Sequence, residues 1–275
     1  MASPSAHHAA AAPDPPAFRD RAEAGARLGA RLREVLGEDD PERSRASAPS
    51  PTDPADAGEA RPVVLALPRG GVPVAAEVAR ALGVALDILL VRKLGHPEAP
   101  ELGLGAIAED GAGGAAEPYF DPEMLNRVGL SKDDLAEVVA RERAELVRRV
   151  AVYAPRRSVP AGKHSGPEPE GAAEGTLDEP RVLELAGRLV IVVDDGLATG
   201  VTARAALRAV QQRGARRMIL AVPVAATEAA HAIEKETGEV VTVVTPRRFH
   251  SVGEWYADFG QLTDADVLAV LASTP

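Results

Sequence analysis

The stretch LVIVVDDGLATGVT, residues 189–202, narrows the folds open to this chain more than any other. Five apolar residues run into two consecutive carboxylates, Asp194 and Asp195, then into a turn of small residues before a helix start near Gly200–Thr202. A continuous apolar run of this length predicts a strand buried on both faces, as in a parallel sheet covered by helices. The carboxyl end of such a strand faces the crevice where open α/β sheets bind ligands. The turn lets backbone amides converge with the positive end of a helix dipole, which suits a phosphate, and Thr199 and Thr202 add hydroxyl donors. Two adjacent carboxylates repel each other and lose hydration, so the pair fits a place where it accepts hydrogen bonds from a diol or faces a cation. The plainer alternative is a strand–turn–helix corner in which one Asp caps the helix and the other is solvated.

The rest of the chain repeats the strand and helix alternation. Residues 62–67 (PVVLAL), 85–91 (ALDILLV), 218–222 (MILAV) and 240–244 (VVTVV) are further apolar runs of buried-strand length. Helical pattern covers 74–82, 135–150, 202–213 and 228–236, with hydroxyl-and-carboxylate cap signals at 131–134 (SKDD) and 263–266 (TDAD). Strand, crossover helix and strand in this order predict an α/β fold, a Rossmann-like, largely parallel five-stranded sheet with flanking helices. Residues 1–16, 38–61 and 155–181 are nearly devoid of large apolar side chains and cannot offset the entropy of ordering. The predicted organisation is a disordered tail at 1–16 and one domain over 17–275 with disordered insertions at 38–61 and 155–181.

Composition excludes several classes. A net charge of −10 argues against broad nucleic-acid binding, and the absence of cysteine removes disulfides and thiolate metal sites. No secretory signal pattern or membrane-spanning apolar run is present in the sequence, so the expectation is a cytoplasmic protein without membrane partners. The run GLGAIA at 103–108 fits a dinucleotide-binding spacing, but it leads into strand-like sequence rather than a helix and is rejected. The six histidines show no metal-ligand spacing.

Two other segments carry chemistry. In LALPRGGVPV, residues 65–74, a strand ends in Arg69, Gly70 and Gly71 before a helix; glycines allow close backbone approach and an Arg can fork onto a phosphate, although PRGG alone is also a common turn. The strand ending at Val91 leads into Arg92 and Lys93 and then the Gly/Pro-rich 94–105, LGHPEAPELGLG.

Residues 190–202 closely resemble the phosphoribosyl-pyrophosphate loop of type I phosphoribosyltransferases: four apolar residues, two acidic ones and a turn ending in Thr-Gly-x-Thr. The resemblance extends over about 62–273 and implies that family's fold, including a small hood to which a helix over 18–36 contributes. It implies that Asp194 and Asp195 hold the ribose hydroxyls while Gly196, Leu197, Ala198, Thr199, Gly200, Val201 and Thr202 form the loop around the 5′-phosphate. Arg69, Gly70 and Gly71 stand at the pyrophosphate loop, and Arg92 and Lys93 open a segment similar to the family's mobile loop. In the implied reaction Asp194, Asp195, Arg69 and Lys93 are catalytic and Mg²⁺ is the cofactor, met by Asp194 and Asp195 indirectly through ribose hydroxyls or water. The implied activity is transfer of 5-phosphoribosyl from phosphoribosyl pyrophosphate to a nitrogen acceptor, a nucleobase first; a non-catalytic sensor of the same ligand is the alternative. Val201 replaces a residue that is commonly small, and Ala198 replaces the Asp of 6-oxopurine enzymes, a pattern closer to adenine-type enzymes. Glu101 is a candidate for facing the base. Phe249, Trp255, Tyr256 and Phe259 could stack on a base or anchor the core or a homodimer.

Overall fold

The computed structural model describes residues 16–37, 62–153 and 183–274. The predicted tail, apart from Pro16, and both predicted insertions lie outside the described residues. The five apolar runs form one parallel sheet from β1 (Val63–Ala66), β2 (Ala85–Ile88), β6 (Leu189–Val193), β7 (Arg217–Val224) and β8 (Val240–Val244), in the order β2-β1-β6-β7-β8. Side chains of successive strand residues point to opposite faces, and the core divides accordingly. Val64, Ala66, Ile191 and Val193 enter one apolar cluster; Val63, Leu65, Val190 and Val192 enter another. The first cluster includes residues of α1 (Arg21–Leu36) and α2 (Gly71–Leu82), the second residues of α5 (Val201–Gln212) and α6 (Thr227–Thr237). The inner strands β1 and β6 are wholly apolar because both of their faces are covered.

Strand order places the ligand crevice. From β1 the chain proceeds to β2 on one side, whereas β6, β7 and β8 build outwards on the other. The order therefore reverses between β1 and β6, the position where open sheets leave a crevice at their carboxyl ends. Ala66 pairs with Val193, so PRGG and the acidic pair leave adjacent strands at the same level.

The predicted strand over 85–91 is two elements. β2 stops at Ile88, and β3 (Val91–Gly95) belongs to a separate antiparallel sheet with β4 (Gly103–Ala108) and β5 (Tyr119–Phe120). Leu89 and Leu90 between them are buried, so the run stays apolar while the chain changes sheet. This small sheet lies on α5, with Ala106 and Tyr119 against Val201 and Ala205. The predicted mobile segment 94–105 lies within the β3–β4 hairpin: 94–95 and 103–105 belong to its strands and 96–102 form its connection, closed by His96 N donating to Leu102 O at 2.9 Å. The hairpin leads through α3 (Pro122–Val128) to α4 (Ala136–Tyr153).

The hood is built from both ends of the described chain. Phe18 pairs with Tyr256, donating its amide to Trp255 O at 3.0 Å and accepting from Ala257 N at 2.8 Å. Phe18, Trp255 and Tyr256 form a buried cluster with Phe249 and Phe259 packed against it. The four aromatics singled out in the sequence thus serve the hood's own core. The helix predicted over 18–36 is α1, capped by Asp20. Helix α7 (Asp264–Ser273) starts at the predicted cap, where Thr263 and Asp266 form a reciprocal capping box.

Candidate active site

The acidic pair sits where β6 ends. Asp194 Oδ1 accepts from the Asp195 amide at 2.9 Å. Burial first, and the neighbouring Asp195 second, push the Asp194 carboxyl well above the usual carboxylate range, while Lys93 and Arg21 draw it back. Burial also raises Asp195, opposed by Arg21. Arg21 comes from the first turn of α1, 174 positions away in sequence: its Nε donates to Asp195 Oδ2 at 2.9 Å and its Nη1 to Gly260 O at 3.0 Å. The guanidinium lies 3.9 Å from the Phe259 ring centroid, which fixes its plane. Tyr256 adds a hydroxyl donating to the Asp195 carbonyl at 2.5 Å, and burial pushes its phenol up. The hood therefore grips the second acidic residue from behind.

Beyond the pair, the turn is anchored through Leu197. Its amide donates to Val224 O and its carbonyl accepts from Ala226 N, while its side chain is buried in the core. Leu197 consequently presents neither its amide nor its side chain to a ligand. Ala198 and Thr199 are exposed, and Gly200 takes a left-handed conformation, φ 78°, that other residues rarely adopt. Val201 opens α5 with its side chain buried beside Tyr119, which accounts for an apolar residue at this place in the pattern. The buried Arg204 donates from Nη1 to Thr199 O at 3.0 Å and from Nε to both Glu236 oxygens at 2.9 and 3.0 Å.

The PRGG loop packs directly on this structure. A Cβ on Gly70 would lie 1.9 Å from Asp195 Oδ2, and one on Gly71 would lie 2.6 Å from Val193 O. Both glycines are required by close approach; neither lines the cavity. The Pro68–Arg69 peptide is cis, and Arg69 is exposed at the cavity.

The cavity has a volume of about 610 Å³. Asp194, Asp195 and the turn through Thr202 line it, with Val252 from the hood. Arg69, Arg92, Lys93, Arg141 and Arg149 line it as well, with Glu142 among them. Arg92 donates twice to Glu142, at 3.0 and 2.7 Å, so α4 fixes its direction; Arg149 is tied to Glu145 at 3.0 Å. Lys93 is exposed on β3. Glu101 does not line the cavity, nor do the four hood aromatics.

Arg21, Arg141, Arg149 and Arg204 were not legible as site residues. Helical periodicity marked α4, and the charged run RERAELVRR offered a signal, but which arginines face the crevice depends on how α4 packs. For a divalent cation the protein alone supplies little: among the described residues no group of three or more His, Cys, Asp or Glu could hold one. The Asp194 and Asp195 carboxylates are oxygen ligands of the kind Mg²⁺ takes, and with so few of them they would hold it only jointly with substrate phosphates. No helix among the described residues is long and apolar enough to cross a membrane.

A family model described as the phosphoribosyl transferase domain matches residues 135–258. Two Mycobacterium tuberculosis proteins, MT0597 of strain CDC 1551 / Oshkosh and Rv0571c of strain ATCC 25618 / H37Rv, both provisionally named phosphoribosyl transferases, are each 35% identical over 254 residues. The match covers 92% of this chain and 46% of theirs, so the chain spans about half the length of these relatives. The crystal structure of TT1426 from Thermus thermophilus is 39% identical and superposes with a TM-score of 0.63, covering 92% of this chain and 97% of that one. With the acidic strand end, the turn that follows it and the PRGG loop converging at the sheet's switch point, the chain belongs to the phosphoribosyltransferase family, on an α/β fold.

Proposed function

We propose that this chain catalyses Mg²⁺-dependent transfer of 5-phosphoribosyl from phosphoribosyl pyrophosphate to a nitrogen acceptor, a nucleobase first, with release of pyrophosphate. One observation carries the reading: the carboxylate pair lines the same cavity at the sheet's switch point as Arg69, Arg92, Lys93, Arg141 and Arg149. A substrate that carries both a diol and a diphosphate around one reacting carbon matches a cavity lined by both kinds of group. Asp194 and Asp195 accept from the ribose hydroxyls, and the turn from Ala198 to Thr202 receives the 5′-phosphate. As the bond from the sugar to the diphosphate breaks, positive charge grows on the ribose, beside the acidic pair. The complementary negative charge grows on the leaving group, beside Arg69 and Lys93, and such preorganised partners lower the barrier because they need no reorganisation. Mg²⁺, when bound, would screen the diphosphate and polarise its departing oxygen.

Support comes from the depth of the acidic pair. Burial holds both carboxyls above their usual range, so their ionised forms are costly until a cationic centre or hydroxyl donors offset the lost hydration. The test is calorimetric titration of phosphoribosyl pyrophosphate with Mg²⁺ into the parent protein and the Asp194→Asn, Asp195→Asn double variant. Loss of binding in a variant that still unfolds cooperatively is expected; retained affinity would overturn the site assignment.

A further inference from the structure

We infer that Arg204 is a positioning residue that aims the backbone of the phosphate turn, a role that rests on the reading of 198–202 as the 5′-phosphate site. Arg204 is 8% exposed, and it is not among the residues that line the ligand cavity. It stands behind the turn, where it helps to line a separate cavity of about 470 Å³ with Leu207, Arg208 and Glu236. From there Nη1 donates to the Thr199 carbonyl at 3.0 Å.

A trans peptide is planar, with its C=O and the following N–H pointing in opposite directions. Drawing the Thr199 carbonyl backwards onto Arg204 therefore turns the Gly200 N–H forwards, on the cavity side. The next residue, Val201, begins α5, so this amide adds to the positive end of the helix dipole where a phosphate would sit. Two further contacts hold the device in place. Glu236 of α6 accepts the Arg204 Nε through both oxygens, which fixes the guanidinium plane. Gly200 leaves room for it, since a Cβ there would lie 3.1 Å from Arg204 Nη1 and 2.9 Å from Ile233 Cδ1. A lysine could not reproduce the arrangement, because a single ammonium lacks the fork that reaches Thr199 and Glu236 together.

The distinctive consequence is selectivity between the two ends of the substrate. The turn serves the 5′-phosphate, whereas pyrophosphate would meet Arg69 and Lys93. The experiment measures binding of ribose 5-phosphate, and separately of pyrophosphate with Mg²⁺, to the parent protein and to Arg204→Met, Arg204→Lys and Glu236→Gln. Arg204→Met should weaken ribose 5-phosphate about tenfold, the loss of roughly one charge-assisted hydrogen bond, and change pyrophosphate less than about twofold. Arg204→Lys and Glu236→Gln should show smaller losses of the same selectivity, and they carry the test if the Met variant does not fold. Equal weakening of both ligands, or no change in either in folded variants, would overturn the role of Arg204. Failure of the parent protein to bind ribose 5-phosphate would instead overturn the reading of the turn itself.

Discussion

Gly70 and Gly71 are neighbours in one turn, yet alanine at each should fail differently. Gly70 has φ −61° and ψ −36°, ordinary for any residue, so Gly70→Ala strains no backbone. Its Cβ would however stand 1.9 Å from Asp195 Oδ2, where ordinary contact begins near 3.4 Å, and the carboxylate must retreat by about 1.5 Å. A retreat of that size ends the 2.9 Å contact with Arg21 and moves the group proposed to hold the ribose. The obstacle is the end of a side chain, so overpacking should cost about 1–2 kcal/mol, while a misplaced binding group costs ligand affinity about tenfold or more. Gly71→Ala meets backbone instead: Val193 O at 2.6 Å and Asp194 Cα at 2.9 Å, both at the end of the central strand β6. Relief there requires moving the strand, and the cost should reach about 3 kcal/mol or more. Urea denaturation gives the stabilities, and calorimetry with phosphoribosyl pyrophosphate and Mg²⁺ gives the affinities. Gly70→Ala with parental stability and parental affinity would refute the packing of the PRGG loop on the acidic pair.

Two other predictions follow from the electrostatics of the pair. Arg21→Met leaves Asp195 without its ion-pair partner at a site where both side chains are under one-fifth exposed, and should cost about 2–3 kcal/mol near pH 7.5 by urea denaturation. The loss should shrink as pH falls and Asp195 takes up a proton; a cost that does not change with pH would contradict the pairing. Asp194 is raised in the folded state, so the native protein holds more protons than the unfolded chain above the ordinary carboxylate range. Stability of the ligand-free protein should therefore fall as pH rises through the folded-state value, and Asp194→Asn should remove that part of the pH dependence. Parallel stability curves for parent and variant between pH 4 and pH 8 would refute the assignment.

The parallel sheet was legible because both of its faces are covered by helices and its strands lie in short apolar runs. Val190 and Ile191 needed no partner to be recognised as strand. The second sheet was not legible for the same reason: Leu89 and Leu90 keep the run apolar through the break after Ile88, and periodicity cannot register a change of sheet inside a buried segment. The acidic pair and its turn were legible because their chemistry is local, a few consecutive residues at a strand end. Arg21 was not, since its position in RAEAGARL looks like any charged helix residue and its role arises only when α1 folds over Asp195. The hood aromatics illustrate the intermediate case. Their density predicted an organised element, but only the pairing of Phe18 with Tyr256 shows that they pack on one another.

Among these tests, acceptor-dependent pyrophosphate release bears most directly on the central claim. The protein is incubated with phosphoribosyl pyrophosphate and Mg²⁺, with and without each of a panel of purine and pyrimidine bases, adenine foremost because Ala198 stands where 6-oxopurine enzymes carry a carboxylate. The account predicts release that rises with one base and yields the matching nucleoside 5′-monophosphate in equal amount. Release that never exceeds the base-free rate with any member of the panel would contradict phosphoribosyl transfer to a nucleobase at this site.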